Sequence, residues 1–256
     1  PIQFYAILYI PQQSPLEILF APEPKVSLNL HVKRVFIQDD CNDVLSLYLR
    51  FVKGVVDCDD LPLNVARESL QNNPVIAKIR QTLVRRVLRM LAEMAKSKPA
   101  DYHTFWTSFG MVLKEGVARD FENKDEISRL LRYQSTLSLE TADGDSGEAK
   151  EDPLLAAGFI SLQDYVDRMQ SDQEVIYYLT GESREAIQQS PLLEAFRSRK
   201  LEVLFLTDPV DEWVVNTLQQ FDGKQLQAID AEDIELKEEV KIEGADGGED
   251  KERTIE

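Results

Sequence analysis

Residues 161–230 alternate regularly between strand-like and helix-like segments, and this alternation constrains the fold more than any other feature of the chain. The strand-like segments are 175–180, 201–207 and 225–230, and the helical ones are 161–169, 183–199 and 209–221. Pro191 interrupts the second helical segment, and Ser161 with Asp164 gives the first one the spacing of a capping box. Strands that alternate with helices form parallel sheets through right-handed crossovers. We therefore predict a small α-β-α subdomain with a short parallel sheet at 161–230.

Residues 1–135 are expected to form a larger α-β-α layered subdomain. The strand-like segments are 3–10, 28–38 and 54–57, and the helical segments are 44–53, a long helix that opens at Asn73 and Pro74, and 125–133. The aromatic segment 102–113 is either a helix or a helix–strand junction. The apolar run at 3–10 predicts a buried strand, and 28–38 alternates as a single half-buried strand does. Gly54 stands where a glycine commonly follows the end of a helix. A helical connector with a flexible, acidic insertion is expected at 136–160.

The charge of the chain limits the classes of function. Its 256 residues carry a net charge of −17, which disfavours a general nucleic-acid binder because phosphates need basic residues. No apolar run approaches the roughly 18 residues of a membrane span, so no membrane association is expected. Cys41 and Cys58 form no CxxC pair and belong to no Cys/His cluster, so no metal site is predicted and a reducing compartment fits. The acidic residues 231–256 are expected to be a linker or tail.

The stretch 57–71, DCDDLPLNVARESLQ, is acidic, then stiffened by proline, and then carries Arg67 and Gln71. A guanidinium is always charged and offers five donors in a planar fork, so Arg67 is a candidate ligand for a phosphate or a carboxylate. From the residues alone, an ion pair of Arg67 with Glu68 or a nearby Asp is the better interpretation.

Five blocks of sequence carry a resemblance to a known family. They are VKRVFIQDD, RFVKGVVDCDDLPLNVARESLQ, LLRYQST, IYYLTGES and EVLFLTDPVDEWVVNTLQQFDGK. In this order they closely resemble the middle segment of the heat-shock protein 90 chaperones, including the bacterial type. The resemblance implies the middle domain of an ATP-dependent chaperone that binds unfolded or partly folded client proteins and co-chaperones. It also implies a cytoplasmic location or, as the alternative, an organelle matrix.

The resemblance further implies two domains that are not part of this chain, an N-terminal domain that holds ATP and Mg²⁺ and a C-terminal domain that dimerises the protein. Arg67 falls on the arginine that reaches the γ-phosphate of ATP, and Gln71 falls on the glutamine that accompanies it. A placed guanidinium can stabilise the charge that develops on a transferred phosphoryl group. The chain alone is expected to bind no cofactor and to hydrolyse no ATP.

The same resemblance places client contacts on the helix after Pro209 and on an apolar loop near Phe20. The candidate client-binding residues are Glu212, Trp213, Asn216 and Phe20. An exposed Trp that follows two acids suits an interface hot spot, whereas packing of Trp213 on the small sheet is an equally good interpretation of the residues alone. Two hypotheses stay open, a part of an ATP-driven chaperone and a pure protein-binding module with no part in ATP hydrolysis.

A nucleotide-binding enzyme built on residues 161–230 is the third interpretation. The segment 179–183, LTGES, faintly resembles a phosphate loop because a glycine follows a strand and precedes a helix. A phosphate loop needs further glycines and a lysine, and a dinucleotide fold needs GxGxxG. No nucleophile–base pair emerges elsewhere, so this interpretation is disfavoured.

Overall fold

The computed structural model describes residues 2–14, 18, 22–62, 70, 72–137 and 157–231, which form two β-sheets with helices packed on them. The strands are β1 (Phe4–Tyr9), β2 (Leu28–Val32), β3 (Val35–Gln38), β4 (Lys53–Cys58), β5 (Tyr133–Ser135), β6 (Phe159–Ile160), β7 (Val175–Thr180), β8 (Val203–Leu206), β9 (Gln220–Phe221) and β10 (Lys224–Ala228). The helices are α1 (Pro74–Ser97), α2 (Pro99–Arg119), α3 (Lys124–Leu130), α4 (Leu162–Arg168), α5 (Arg184–Gln188), α6 (Leu192–Ser198) and α7 (Asp211–Leu218). This mixed architecture agrees with the predicted fold class.

The first sheet has the strand order β1-β4-β2-β3. The pair β2–β4 is parallel, whereas β1–β4 and β2–β3 are antiparallel. A two-residue turn joins β2 to β3, and its residues Lys33 and Arg34 have φ angles of 51° and 67°. Positive φ at both turn residues suits a hairpin whose strands twist in the right-handed sense. The prediction of one strand over 28–38 is therefore wrong. The turn was not predicted because such turns usually contain Asn or Gly, and Lys and Arg are uncommon there.

The strand β1 lies at the edge of the first sheet and is not buried as predicted. Phe4 and Leu8 are half-buried against the core, whereas Tyr5, Ile7 and Tyr9 are exposed, Ile7 by 79%. Successive side chains of a strand point to opposite faces. No described residue packs over the face of β1 that carries Tyr5, Ile7 and Tyr9. An apolar composition cannot distinguish a strand covered on both faces from an edge strand covered on one.

The predicted helix over 44–53 is replaced by turns and a short 3₁₀ helix at Leu47–Leu49. Its apolar side chains are buried on several sides instead of forming one stripe, so helical periodicity is not what they reflect. Gly54 lies inside β4 rather than after a helix, with a φ of +147°. A Cβ atom at this position would lie 2.0 Å from the carbonyl oxygen of Ile7, so glycine allows β1 and β4 to approach.

The long helix and the aromatic helix form where the sequence predicts them. Asn73 caps α1 by accepting a hydrogen bond from the Val75 N–H at 2.8 Å, and Pro74 occupies the first turn. Aromatic side chains of α2 are buried, as expected: Tyr102, Phe105, Trp106 and Phe109. The helix expected at 125–133 ends at Leu130, because Leu131 is extended and Tyr133 begins β5.

The second sheet has the strand order β6-β5-β8-β7-β10-β9, and its centre is the predicted parallel sheet, β8-β7-β10. The capping box of Ser161 and Asp164 is present at the start of α4, and the helical segment 183–199 is divided into α5 and α6 at Pro191. The helix expected at 209–221 stops at Leu218. A tight hairpin of β9 and β10 follows it.

Three antiparallel strands extend the second sheet beyond the prediction. They are β5, β6 and β9, and β5 pairs with β8 although it precedes residue 136. One buried hydrophobic cluster contains Leu30 and Val56 of the first sheet together with Ile176 and Leu204 of the second. A smaller cluster lies under α5 and α6. None of the described helices is both long and apolar enough to cross a membrane.

Candidate functional site

The candidate site is built on α7 and on the loop that leads into it from β8. Asp211, the first residue of α7, accepts a hydrogen bond from the Asp208 N–H through Oδ2 at 3.0 Å. The Asp211 N–H in turn donates to the Asp208 carbonyl oxygen at 2.9 Å. The second bond satisfies an N–H group that the helix itself leaves without a partner, and the first ties the preceding loop to the first residue of the helix.

A buried lysine of α2 holds the start of α7 in place. Lys114 Nζ lies 2.8 Å from Asp208 Oδ2 and 2.7 Å from Asp211 Oδ1, and the lysine side chain is 5% exposed. Nζ also lies 4.6 Å from the centre of the Tyr133 ring. Burial raises the pKa of the Asp211 carboxyl, and the charge of Lys114 opposes that shift. The start of α7 is thus fixed to α2 by a desolvated ion pair.

The outer face of α7 carries the three described residues that the sequence proposed as a client contact. Trp213 is 61% exposed, so its packing on the small sheet, the alternative interpretation, is wrong. Glu212 and Asn216 are also exposed. They are four residues apart and Trp213 is three residues from Asn216, so all three share one surface of the helix. The buried side of α7, by contrast, is lined by Val214, Val215 and Leu218.

A crevice of about 580 Å³ lies beside this surface, at the carboxyl ends of β7 and β8. Its lining includes Tyr178, Thr180, Glu182, Asp208, Glu212 and Asn216. Open α/β sheets place ligand crevices at this end of their parallel strands. Burial raises the pKa of the Tyr178 hydroxyl, and the negative charges of Asp230 and Glu212 raise it further.

Tyr178, Glu182 and Asp208 lie beside the α7 surface although the sequence did not predict them as its neighbours. A signal existed for the two acids, because each lies within two residues of the end of a predicted parallel strand and such positions converge at one edge of a sheet. Lys114 gave no signal, because it is separated from Asp208 by 94 residues.

The crevice does not fit a nucleotide. Carboxylates line it, and none of its described lining residues is Lys or Arg. Gly181 is explained by packing, because an added Cβ would lie 2.6 Å from Ile187 Cγ1. The faint likeness of 179–183 to a phosphate loop therefore has no support in the chemistry of the site. Within the described parts of the chain there is also no cluster of His, Cys, Asp and Glu that could hold a metal ion.

The remaining candidates, Phe20, Arg67 and Gln71, lie outside the described residues. The structure describes the elements on either side of the arginine stretch, β4 up to Cys58 and α1 from Pro74 onwards.

Comparison with known proteins identifies the family. The model of the "Hsp90 protein" family matches residues 1–255. The chain is 47% identical over 241 residues to the chaperone protein HtpG of Hydrogenovibrio crunogenus, covering 93% of this chain and 36% of that protein. It is 48% identical over 232 residues to the chaperone protein HtpG of Geobacter sulfurreducens, covering 91% of this chain and 33% of that protein. The chain thus spans about a third of the length of these curated relatives.

A solved structure agrees with the sequence relatives. The middle domain of a protein assigned as a heat shock protein in Plasmodium falciparum matches with a TM-score of 0.71 and 28% sequence identity. The match covers 90% of this chain and 83% of that one. With the family match over nearly all residues, it leads to one conclusion: the chain belongs to the Hsp90 family.

Proposed function

We propose that this chain acts as the middle domain of an ATP-dependent chaperone and binds unfolded or partly folded client proteins on the outer face of α7. The observation that carries the proposal is the exposure of Trp213 on a helix whose start is fixed by Lys114. Membership of the Hsp90 family supports the chaperone role. Unfolded proteins expose apolar side chains, and these are the groups that an exposed Trp can cover.

The physical case for α7 as a binding surface rests on size and rigidity. A Trp side chain buries a large apolar area while losing few rotatable bonds, and Trp is enriched among the hot spots of interfaces. A helix anchored by a buried ion pair does not need to be ordered on binding, so less of the contact free energy is lost to entropy. Glu212 and Asn216 add polar contacts at the rim.

The measurement for the α7 surface is the affinity for a permanently unfolded probe, such as reduced and carboxymethylated α-lactalbumin carrying a fluorescent label. Trp213→Ala is expected to raise Kd by about tenfold or more, as loss of a hot-spot residue does. Phe121→Ala is the matched control, because Phe121 is 74% exposed and lies outside α7, and it should leave Kd unchanged. Unchanged affinity of Trp213→Ala would remove α7 from the binding site.

We also propose that Arg67, with Gln71, contributes to ATP hydrolysis in the full-length protein. There, a separate N-terminal domain would hold ATP with Mg²⁺, a C-terminal domain would dimerise the protein, and co-chaperones would act on it in the cytoplasm or in an organelle matrix. The guanidinium of Arg67 would lie near the γ-phosphate and stabilise negative charge there. Support comes from the match of LPLNVARESLQ to the corresponding segment of the family.

The full-length protein provides the test of Arg67. Arg67→Ala is expected to bind ATP with unchanged affinity and to hydrolyse it at least about tenfold more slowly; arginines that act on a neighbouring site in other ATPases contribute about 10³–10⁵ in rate. Arg85→Ala on the exposed face of α1 controls for the loss of a surface cation. If Arg67→Ala hydrolyses ATP at the unaltered rate while Trp213→Ala weakens client binding, the chain is a protein-binding module without a part in hydrolysis.

A further inference from the structure

We propose that the crevice beside Trp213 binds a basic side chain, so that the preferred client segment carries Lys or Arg next to an apolar or aromatic residue. This inference rests on the proposed function, because it describes what the same surface selects. It follows from three properties of the crevice, which are its position, its charge and its apolar neighbours.

The position of the crevice follows from the topology of the second sheet. After β7 the chain runs through α5 and α6 to β8, which lies on one side of β7. After β8 it runs through α7 to β10, which lies on the other side of β7. Connections that leave in opposite directions open a gap at the carboxyl ends of the strands. A volume of about 580 Å³ is enough for one or two long side chains of a bound segment.

The charge of the crevice is negative. Glu182, Asp208 and Glu212 line it, and its described lining includes no Lys or Arg. Asp208 is paired with Lys114. The side-chain carboxylates of Glu182 and Glu212, by contrast, make no hydrogen bond or ion pair with any described residue, and both residues are exposed to an incoming ligand. A concave surface lined by charges of one sign concentrates their field, so these two carboxylates attract a cation more strongly here than on a flat surface.

The apolar neighbours explain why the cation should belong to a polypeptide rather than be a free ion. The lining of the crevice includes the half-buried Tyr178 and the largely buried Val215 and Leu206, so part of its surface is apolar. Lys and Arg side chains pack their methylene stems on such surface while their charged ends reach polar groups. Trp213 stands one residue from Glu212 on α7, so a neighbouring apolar side chain of the same segment can cover it. The surface therefore fits a basic residue followed or preceded by an apolar one.

The test uses three labelled peptides that differ at one set of positions. The first alternates Leu and Arg, and the second and third have Gln or Glu in place of each Arg. Fluorescence anisotropy with the unaltered chain should give an affinity for the Arg peptide at least about fivefold higher than for the Gln peptide, with the Glu peptide weakest. The preference should shrink as salt is added, because exposed charges are screened.

The assignment to the crevice depends on charge-neutralising variants. Glu182→Gln and Glu212→Gln should each lower the affinity for the Arg peptide about threefold or more and lower the affinity for the Gln peptide by less, so that the preference for the Arg peptide shrinks. Glu194→Gln, an exposed acid of α6 outside the crevice, is the matched control and should change neither peptide. If all three variants lower the affinity for the Arg peptide equally, the preference comes from the net charge of −17 and not from the crevice, and the inference is wrong.

The remaining outcomes separate this inference from the proposed function. Equal affinity for the Arg and Gln peptides, with both weakened by Trp213→Ala, would overturn the basic selectivity and leave α7 as the client surface. Binding of every peptide that is insensitive to Trp213→Ala would overturn the proposed function, and the selectivity with it.

Discussion

Lys114 is the residue on which the placement of α7 depends. Its ammonium group is desolvated together with Asp211, whose side chain is 1% exposed, and the attraction between them offsets that cost only while both are charged and in contact. Lys114→Met preserves the length of the side chain and removes the cation. We expect the free energy of unfolding at neutral pH to fall by about 3–5 kcal/mol, the usual effect of breaking a buried pair. The midpoint of urea unfolding measures this loss, with Lys96→Met at the exposed end of α1 as the control.

The pH dependence of that loss identifies its cause. Burial raises the pKa of the Asp211 carboxyl above its unfolded value, so the folded state favours the protonated form. Below the unfolded pKa, Asp211 is neutral in both states and the missing cation costs little. As pH rises past that value, the unpaired carboxylate becomes charged in the unfolded chain first, and stability falls. A destabilisation of Lys114→Met that is the same at pH 3 and at pH 7 would show that lost packing, not the buried charge, is responsible.

At the scale of elements, local signals in the sequence determined the helices better than the strands. Asn73 with Pro74 and Ser161 with Asp164 cap their helices through bonds within a few residues, so their effect is visible in the sequence. The Lys33–Arg34 hairpin is a local feature that lacks the usual turn residues. The exposure of β1 depends instead on which strand lies beside it. That pairing is decided by residues far along the chain, as the bond between β1 and β4 across some fifty residues illustrates.

The candidate site divides in the same way. The outer face of α7 could be predicted only with the family resemblance, because the residues alone left packing of Trp213 on the small sheet equally open. The crevice could not, because its carboxylates come from the ends of two strands, and the lysine that orients α7 comes from α2. Such a site exists only once the strands pair and the helices pack, so residue spacing alone does not reveal it.

At the scale of the whole molecule, the two sheets share one buried cluster, and the ion pair of Lys114 crosses between them. Separation of the sheets would expose both the cluster and a buried charge. We therefore expect the first sheet, the second sheet and the helices packed on them to unfold together. The chain has two tryptophans, Trp106, which is buried on α2, and Trp213, which is exposed on α7. Trp106 reports on the first unit, the first sheet with its helices, and Trp213 reports on the second unit, the second sheet with α7.

Variants with a single tryptophan measure this cooperativity. Trp213→Phe leaves Trp106 as the reporter of the first unit, and Trp106→Phe leaves Trp213 as the reporter of the second. In each variant, the urea midpoint from fluorescence should equal the midpoint from circular dichroism of the same variant, because one transition exposes both units. A Trp213 signal that changes at lower urea than the circular dichroism would mean that α7 and its sheet open first. The fixed α7 surface, on which the proposed binding of clients depends, would then exist only in part of the folded population.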